Sequence, residues 1–155
     1  MRYLMLDRIV ELAPPSHARG VKVCSLSEDF LADHFPGHPV MPGALILEGL
    51  AQLGGVLVEA TLRERGRTDL HALLLSADKA RFRQLVRPGD RVELEALGEH
   101  ATEDGGRVRG VARVDGVVVA EALLTFALVK VTNPRVIERR REYLNIWLYG
   151  SAEAP

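Results

Sequence analysis

Cysteine is nearly absent: Cys24 stands alone among 155 residues, so no disulfide can form within the chain. That suits a reducing compartment. No charge of one sign prevails, with 20 basic residues against 21 acidic ones and a formal net charge of −1. The global electrostatic footprint of a nucleic-acid-binding protein is therefore missing. No uninterrupted apolar run reaches about 18 residues, so no membrane span is expected. The two best candidates are broken by Glu48 and Gln52 and by Glu121. The amino-terminal stretch from Met1 to Arg8 has no long apolar core of the signal-peptide kind. Internal repeats, linkers and low-complexity segments are also lacking. The default that remains is a cytoplasmic globular domain.

What is present fits that default. Hydrophobic residues make up 47% and charged residues 26%, ordinary globular values that exclude disorder. A chain of this length buries about two thirds of its unfolded surface and needs no disulfide or metal staple. Residues 3–12 are mostly apolar and read as a strand, Pro14-Pro15-Ser16 as a turn, and residues 17–26, with Val21-Lys22-Val23 alternating, as a second strand. The loop Asp33 to Gly43 holds three prolines in the seven residues from Pro36 to Pro42, which forbid a regular helix or central strand and stiffen the backbone. From Ala44 to about Arg65 the pattern is helical. Its apolar residues cover nearly every face for four turns, as in a buried helix, with Gly66 as a C-terminal stop.

The remainder reads as sheet. Residues 70–82 open on an apolar run. Arg91 to Ala96 alternates strictly, Arg107 to Val114 and Val117 to Val131 follow, and Pro88-Gly89-Asp90, Asp104-Gly105-Gly106 and Asp115-Gly116 mark turns. Short turns imply antiparallel pairing. The expected class is α+β: a curved antiparallel sheet wrapped around one long buried helix, with edges whose covering calls for a dimer. Residues 1–132 form the expected domain. Residues 133–155 form a C-terminal extension, a short helix whose end carries the apolar and aromatic patch Tyr143, Leu144, Ile146, Trp147, Leu148 and Tyr149.

Two side chains are anomalous. Glu48 lies about one turn into a greasy helix, where a carboxylate must be paired or hold a proton. A neutral carboxylic acid can act as a general acid. The competing reading is a glutamate bonded to helix-start N–H groups or ion-paired across an interface. His34 opens the proline-stiffened loop, where an imidazole can be aimed as a general base. The plain alternative is a loop histidine hydrogen-bonded to backbone. His34 and His38 are four apart, but without a helix or an evident third ligand they make a poor metal site, and no metal is expected. His17, His71 and His100 are assigned no role. Cys24 reads as a core or strand residue, with no base in sight to make it a nucleophile.

Together, His34-Phe35-Pro36-Gly37, Met41-Pro42-Gly43 and Glu48-Gly49-Leu50-Ala51-Gln52 span 19 residues, with histidine and glutamate 14 positions apart. This composite resembles the β-hydroxyacyl-acyl carrier protein dehydratases of the glutamate type, which have the hotdog fold. The likeness extends from about Leu4 to Val129. Leu4 to Arg8 looks like the family's first strand, and Ala80-Arg81-Phe82 and Val86 to Asp90 like its later landmarks. The resemblance implies reversible elimination of water from a 3-hydroxyacyl thioester to give a trans-2-enoyl thioester, without metal or organic cofactor. It makes His34 the base at the α-carbon and Glu48 the acid at the departing hydroxyl. The Gly43 backbone N–H polarises the thioester carbonyl, in keeping with the donors and dipole of a helix N-terminus. Gln52 supports the acid. Phe35 and Met41 are candidates for the mouth of the acyl tunnel, with simple packing as the alternative. In this family the histidine of one subunit faces the acid of its dimer mate.

The implied partner is an acyl carrier protein, steered by a basic rim of Lys79, Arg81, Arg83 and Arg87; a solvated charged edge is the alternative. A homodimer is expected, with a trimer of dimers or a heterodimer with a related subunit as further arrangements. Some features depart from the family. The chain opens almost directly on the first strand. The tyrosine that often gates the tunnel has no counterpart in His71 to Leu75. The segment after Val131 has no usual equivalent. The resemblance implies a place in fatty acid synthesis, while these departures fit a dehydratase dedicated to a specialised pathway, for example to a polyene or other secondary acyl product. Pro39 to Gly43 looks like the isomerising branch, but that branch carries aspartate where Glu48 stands, so simple dehydration is favoured. Two other readings compete: a hotdog acyl thioesterase, which has no need of the His34 loop, and a non-catalytic carrier-protein docking subunit or structural partner of another dehydratase.

Overall fold

Among the described residues, six strands pair antiparallel in one sheet of order β1-β2-β4-β5-β6-β3. They are β1 (Arg8–Ala13), β2 (His17–Val23), β3 (Leu70–Phe82), β4 (Arg91–Thr102), β5 (Gly105–Val114) and β6 (Val117–Lys130). The helices are α1 (Gly43–Glu64) and α2 (Pro134–Tyr149), and a 3-10 turn forms at Asp29–Leu31. The structure is a computed structural model that describes residues 3–155; Met1 and Arg2 of the amino-terminal stretch lie outside the described residues.

The sheet bends because its ladders are interrupted. Register shifts fall between Ile9 and Glu11, Leu74 and Ser76, Asp78 and Arg81, Gly98 and His100, and Ala112 and Arg113. Each extra residue kinks its strand and increases the twist. The tight turns expected between strands are present. Asp115 (φ 49°) and Gly116 (φ 80°) both take positive φ, as a two-residue hairpin of type I′ requires.

The concave side holds α1. Leu50 and Leu53 are fully enclosed, Leu57 and Val58 nearly so, and they pack with Leu94, Val108, Leu124 and Phe126 of the sheet in one core. By length and hydropathy α1 would suit a membrane span, but 72% of its most apolar window is buried inside the fold. Its start has no side-chain cap, since Pro42 precedes Gly43. Its end is a Schellman closure: Gly66 (φ 83°) donates to the Arg63 carbonyl and Arg67 to that of Leu62, both at 3.0 Å. The α+β hotdog architecture expected from the sequence is the one observed.

Two expectations need correction. The first strand starts at Arg8, not at residue 3, and the second ends at Val23, not at residue 26. Met5 and Leu6 are drawn off the strand path because both side chains enter the core, at 1% and 2% exposure, and the Met5 amide is bonded to Gln52. α1 is also not enclosed on every side; one stripe of it is only half-buried.

The Met5 segment passes directly over α1 at Gly49, where an added Cβ would stand 2.6 Å from the Met5 carbonyl oxygen. Backbone cannot yield as a flexible side chain can. Gly49→Ala is therefore expected to destabilise the fold by about 1–3 kcal/mol, read as a lower midpoint in urea unfolding. An unchanged midpoint would contradict this close packing.

Candidate active site

Residues three or four apart share a face of a helix, and the half-buried stripe of α1 is Glu48, Gln52, Val56 and Glu59. It faces a cavity of about 610 Å³. The cavity is walled by that stripe, by Ala72, Leu73 and Leu74 of β3, and by Ile137, Leu144 and Trp147 of α2. Glu48 is thus neither sealed in the core nor engaged by helix-start N–H groups. It lines an open apolar space.

Gln52 fixes it there. The Gln52 side chain accepts the Met5 N–H on Oε1 at 3.0 Å. Its Nε2 donates to the Tyr3 carbonyl and to Glu48 Oε1, both at 2.9 Å. A backbone N–H can only donate and a carbonyl can only accept, so these two partners determine which way the amide is turned. Gln52 must therefore present an N–H to Glu48.

His34 sits on a loop tied to itself. Phe35 N–H donates to the His38 carbonyl at 3.1 Å, His38 N–H to that of Phe35 at 2.8 Å, and Val40 N–H to that of His34 at 2.8 Å. The His34–Phe35 peptide is cis. The Phe35 ring stacks on the imidazole with centroids 4.1 Å apart. His34 Nδ1 lies 2.8 Å from the Val40 carbonyl oxygen. That oxygen only accepts, so Nδ1 carries a hydrogen, and in the neutral imidazole the lone pair a base needs is then on Nε2. The backbone-bonded reading of this histidine is thus observed. His34 is not among the residues lining the cavity that holds Glu48 in the same chain.

The other expected residues are distributed as follows. Gly43 begins α1 with the ring of Phe82 against it, so close that a Cβ would lie 2.6 Å from Phe82 Cδ1. Leu45 and Ile46 N–H groups turn back to the Pro42 carbonyl, and the first N–H groups of a helix have no partner within it. Met41 is 3% exposed and belongs to the core, whereas Phe35 is 53% exposed. Lys79, Arg81, Arg83 and Arg87 are all exposed. Arg83 is ion-paired with Glu121, and Arg87 reaches His38 Nε2 at 3.3 Å, which places it beside the His34 loop. Cys24 is enclosed, and burial followed by the charges of Glu28 and Asp90 pushes its thiol up to about 11, which makes it inert as a nucleophile.

The sequence reading overlooked a second polar cluster on the same cavity. The Glu59 carboxylate pairs with Arg140 of α2, accepts the Ala72 N–H at 2.8 Å and lies 3.4 Å from Nδ1 of the buried His71. The spacing carried a signal, since Glu59 continues the series Glu48, Gln52, Val56 along one face. Lys22 was overlooked too. Burial alone would lower its pKa, but the carboxylates of Glu28 at 2.7 Å and Asp7 at 3.2 Å outweigh that and raise it.

A family model described as the FabA-like domain matches residues 1–123. The chain belongs to that family. Among curated relatives it is similar to the 3-hydroxyacyl-acyl-carrier-protein dehydratase FabZ of Bacillus velezensis, 46% identical over 126 residues that cover 81% of this chain and 87% of the relative. The FabZ proteins of Bacillus subtilis and Roseiflexus castenholzii are each 44% identical over the same length, covering 87% and 86% of those relatives. Among solved structures, the dehydratase heterocomplex ApeI:P from Xenorhabdus doucetiae superposes with a TM-score of 0.68 at 18% identity, over 89% of this chain and 90% of that one. A hypothetical thioesterase with coenzyme A from Streptococcus pneumoniae does so with 0.62 at 12% identity, over 81% and 88%. At such identities the structural likeness speaks for the fold.

Gln52→Glu would set a carboxylate against the Glu48 carboxyl and the Tyr3 carbonyl, replacing a donor by an acceptor. The expected cost is about 1–3 kcal/mol, measured by urea unfolding. A midpoint equal to that of the unmodified protein would contradict the assigned amide orientation.

Proposed function

We propose that this chain is a 3-hydroxyacyl-acyl carrier protein dehydratase, a hydro-lyase of fatty acid biosynthesis, working without a cofactor. The observation that carries the reading is the Gln52-held Glu48 lining an apolar cavity, with His34 on a self-bonded loop outside that cavity. Family membership and the FabZ relatives support the same reaction.

In the forward direction His34 Nε2 takes the proton from the α-carbon of the thioester. The electrons of that C–H bond form the new double bond between the α- and β-carbons. The β-carbon–oxygen bond breaks, and the departing hydroxyl takes a proton from Glu48 and leaves as water. Gln52 occupies Oε1 of Glu48, so the proton to be given is carried on Oε2. Negative charge on the thioester oxygen is received by the Gly43 N–H at the uncapped start of α1, where dipole and donor act together. Protons then return from the imidazolium and to the carboxylate through solvent. The intact His34 loop favours elimination over thioester hydrolysis, which has no use for it, and the pair disfavours a purely structural role.

The two groups are brought together by a second subunit. β3 is an edge strand of the sheet, and Leu73, Leu74 and Leu75 on it are 51%, 43% and 70% exposed. A long apolar edge of this kind invites pairing with another strand. Two β3 edges joined about a twofold axis place the partner beside the cavity wall that Leu73 and Leu74 form, which brings its His34 towards Glu48. Lys79, Arg81 and Arg87 form the rim that receives an acidic carrier protein, in a cytoplasmic enzyme.

His34→Ala and Glu48→Gln are each expected to lower kcat/KM by about 100-fold or more, the scale of a lost general base or acid. The assay follows ultraviolet absorbance of the enoyl thioester, with circular dichroism to verify folding. Well-folded variants with undiminished activity would overturn the assignment.

A further inference from the structure

The geometry points to α2 as the end wall of the acyl-binding cavity, and so as the element that limits the length of acyl group accepted. The inference rests on the dehydratase reading above and deepens it.

α2 begins at Pro134, beyond the last residue matched by the family model, so its role belongs to this chain's own architecture. It nevertheless faces the helix that carries Glu48. Ile137, Tyr143, Leu144 and Trp147 line the cavity opposite the half-buried stripe of α1. Leu144, Trp147 and Leu148 also press on the core, and the rings of Tyr143 and Trp147 stack with centroids 6.2 Å apart. Both ends of α2 are fixed. Asn133 Oδ1 accepts the Arg135 N–H at 3.0 Å ahead of Pro134, and Gly150 closes the helix in the left-handed region.

The lining changes character along α1. A chain attached at the Glu48 end meets Ala51, Gly55 and Val56, and then Glu59, His71 and Arg140. Glu59 lies eleven positions after Glu48 on the helix, about 16 Å of axial rise. A methyl terminus that reaches Glu59 would have to desolvate an ion pair that Arg140 makes with a carboxylate only 11% exposed. That same carboxylate ties α2 to α1 and, through the Ala72 N–H, to β3. The latch therefore stands where the apolar lining stops. A closed apolar pocket discriminates by about 10- to 200-fold per methylene too many, so a wall fixed in this way converts acyl length into rate.

Trp147 is the one tryptophan in the chain, which gives a readout separate from turnover. Pantetheine thioesters of 3-hydroxyacyl chains of graded length, brominated at the terminal carbon, are added to the full-length protein and Trp147 fluorescence is followed. Quenching that grows with chain length up to a limit and then is lost is expected. In parallel, the ratio of kcat/KM for chains beyond that limit to kcat/KM for short chains is measured in the unmodified protein, Trp147→Ala and Leu144→Ala. The ratio is expected to rise at least about tenfold in both variants. Quenching without any turnover would overturn the dehydratase reading while upholding the wall. Turnover without quenching at any length, or a length profile unaltered in both variants, would overturn the wall alone.

Discussion

The structure depends on enclosing an apolar helix within a sheet that does not quite surround it. α1 is apolar enough to satisfy a membrane by composition, and the bent sheet removes most of that surface from water, the dominant favourable term in folding. Six bent strands leave one stripe of the helix open, and on that stripe lie Glu48, Gln52 and Glu59. Polar groups on a core helix are tolerable only where partners or space exist for them. The stripe supplies both, and the space is the proposed site of reaction.

The amino-terminal segment is coupled to that site. Met5 and Leu6 fill core positions, and the segment rests on Gly49. Its backbone at Tyr3 and Met5 sets the direction of the Gln52 amide. A few residues before the first strand thus link core packing to the hydrogen bonding of the candidate acid. At the other end of α1 the same device recurs with charge: Glu59 receives Arg140 and the Ala72 amide, and α2 is held across the open stripe.

Much of this was legible in the residues. Turn chemistry at Asp115-Gly116, strict alternation at Arg91 to Ala96 and the apolar density of Ala44 to Leu62 led directly to the observed elements. The prolines around His34 indicated a stiff platform, and the loop's mutual hydrogen bonds are its physical form. Less legible were features set by tertiary contact. Residues 3–7 look like strand by composition, but core burial of Met5 and Leu6 overrides that. Met41 has the chemistry of a tunnel-lining residue yet packs in the core, because its N–H is bonded to the Val86 carbonyl at 2.8 Å and the backbone directs its side chain inward. The cluster of Glu59, His71 and Arg140 joins three distant parts of the chain, and only the folded chain brings them together.

The central claim is that His34 and Glu48 act on one substrate from opposite protomers. Mixing inactive His34→Ala and Glu48→Gln proteins under conditions of subunit exchange tests it directly. Activity should recover to about a quarter of the wild-type rate, because half the dimers become mixed and each mixed dimer then holds one complete site. Subunit exchange verified by mass spectrometry with no recovered activity would contradict it.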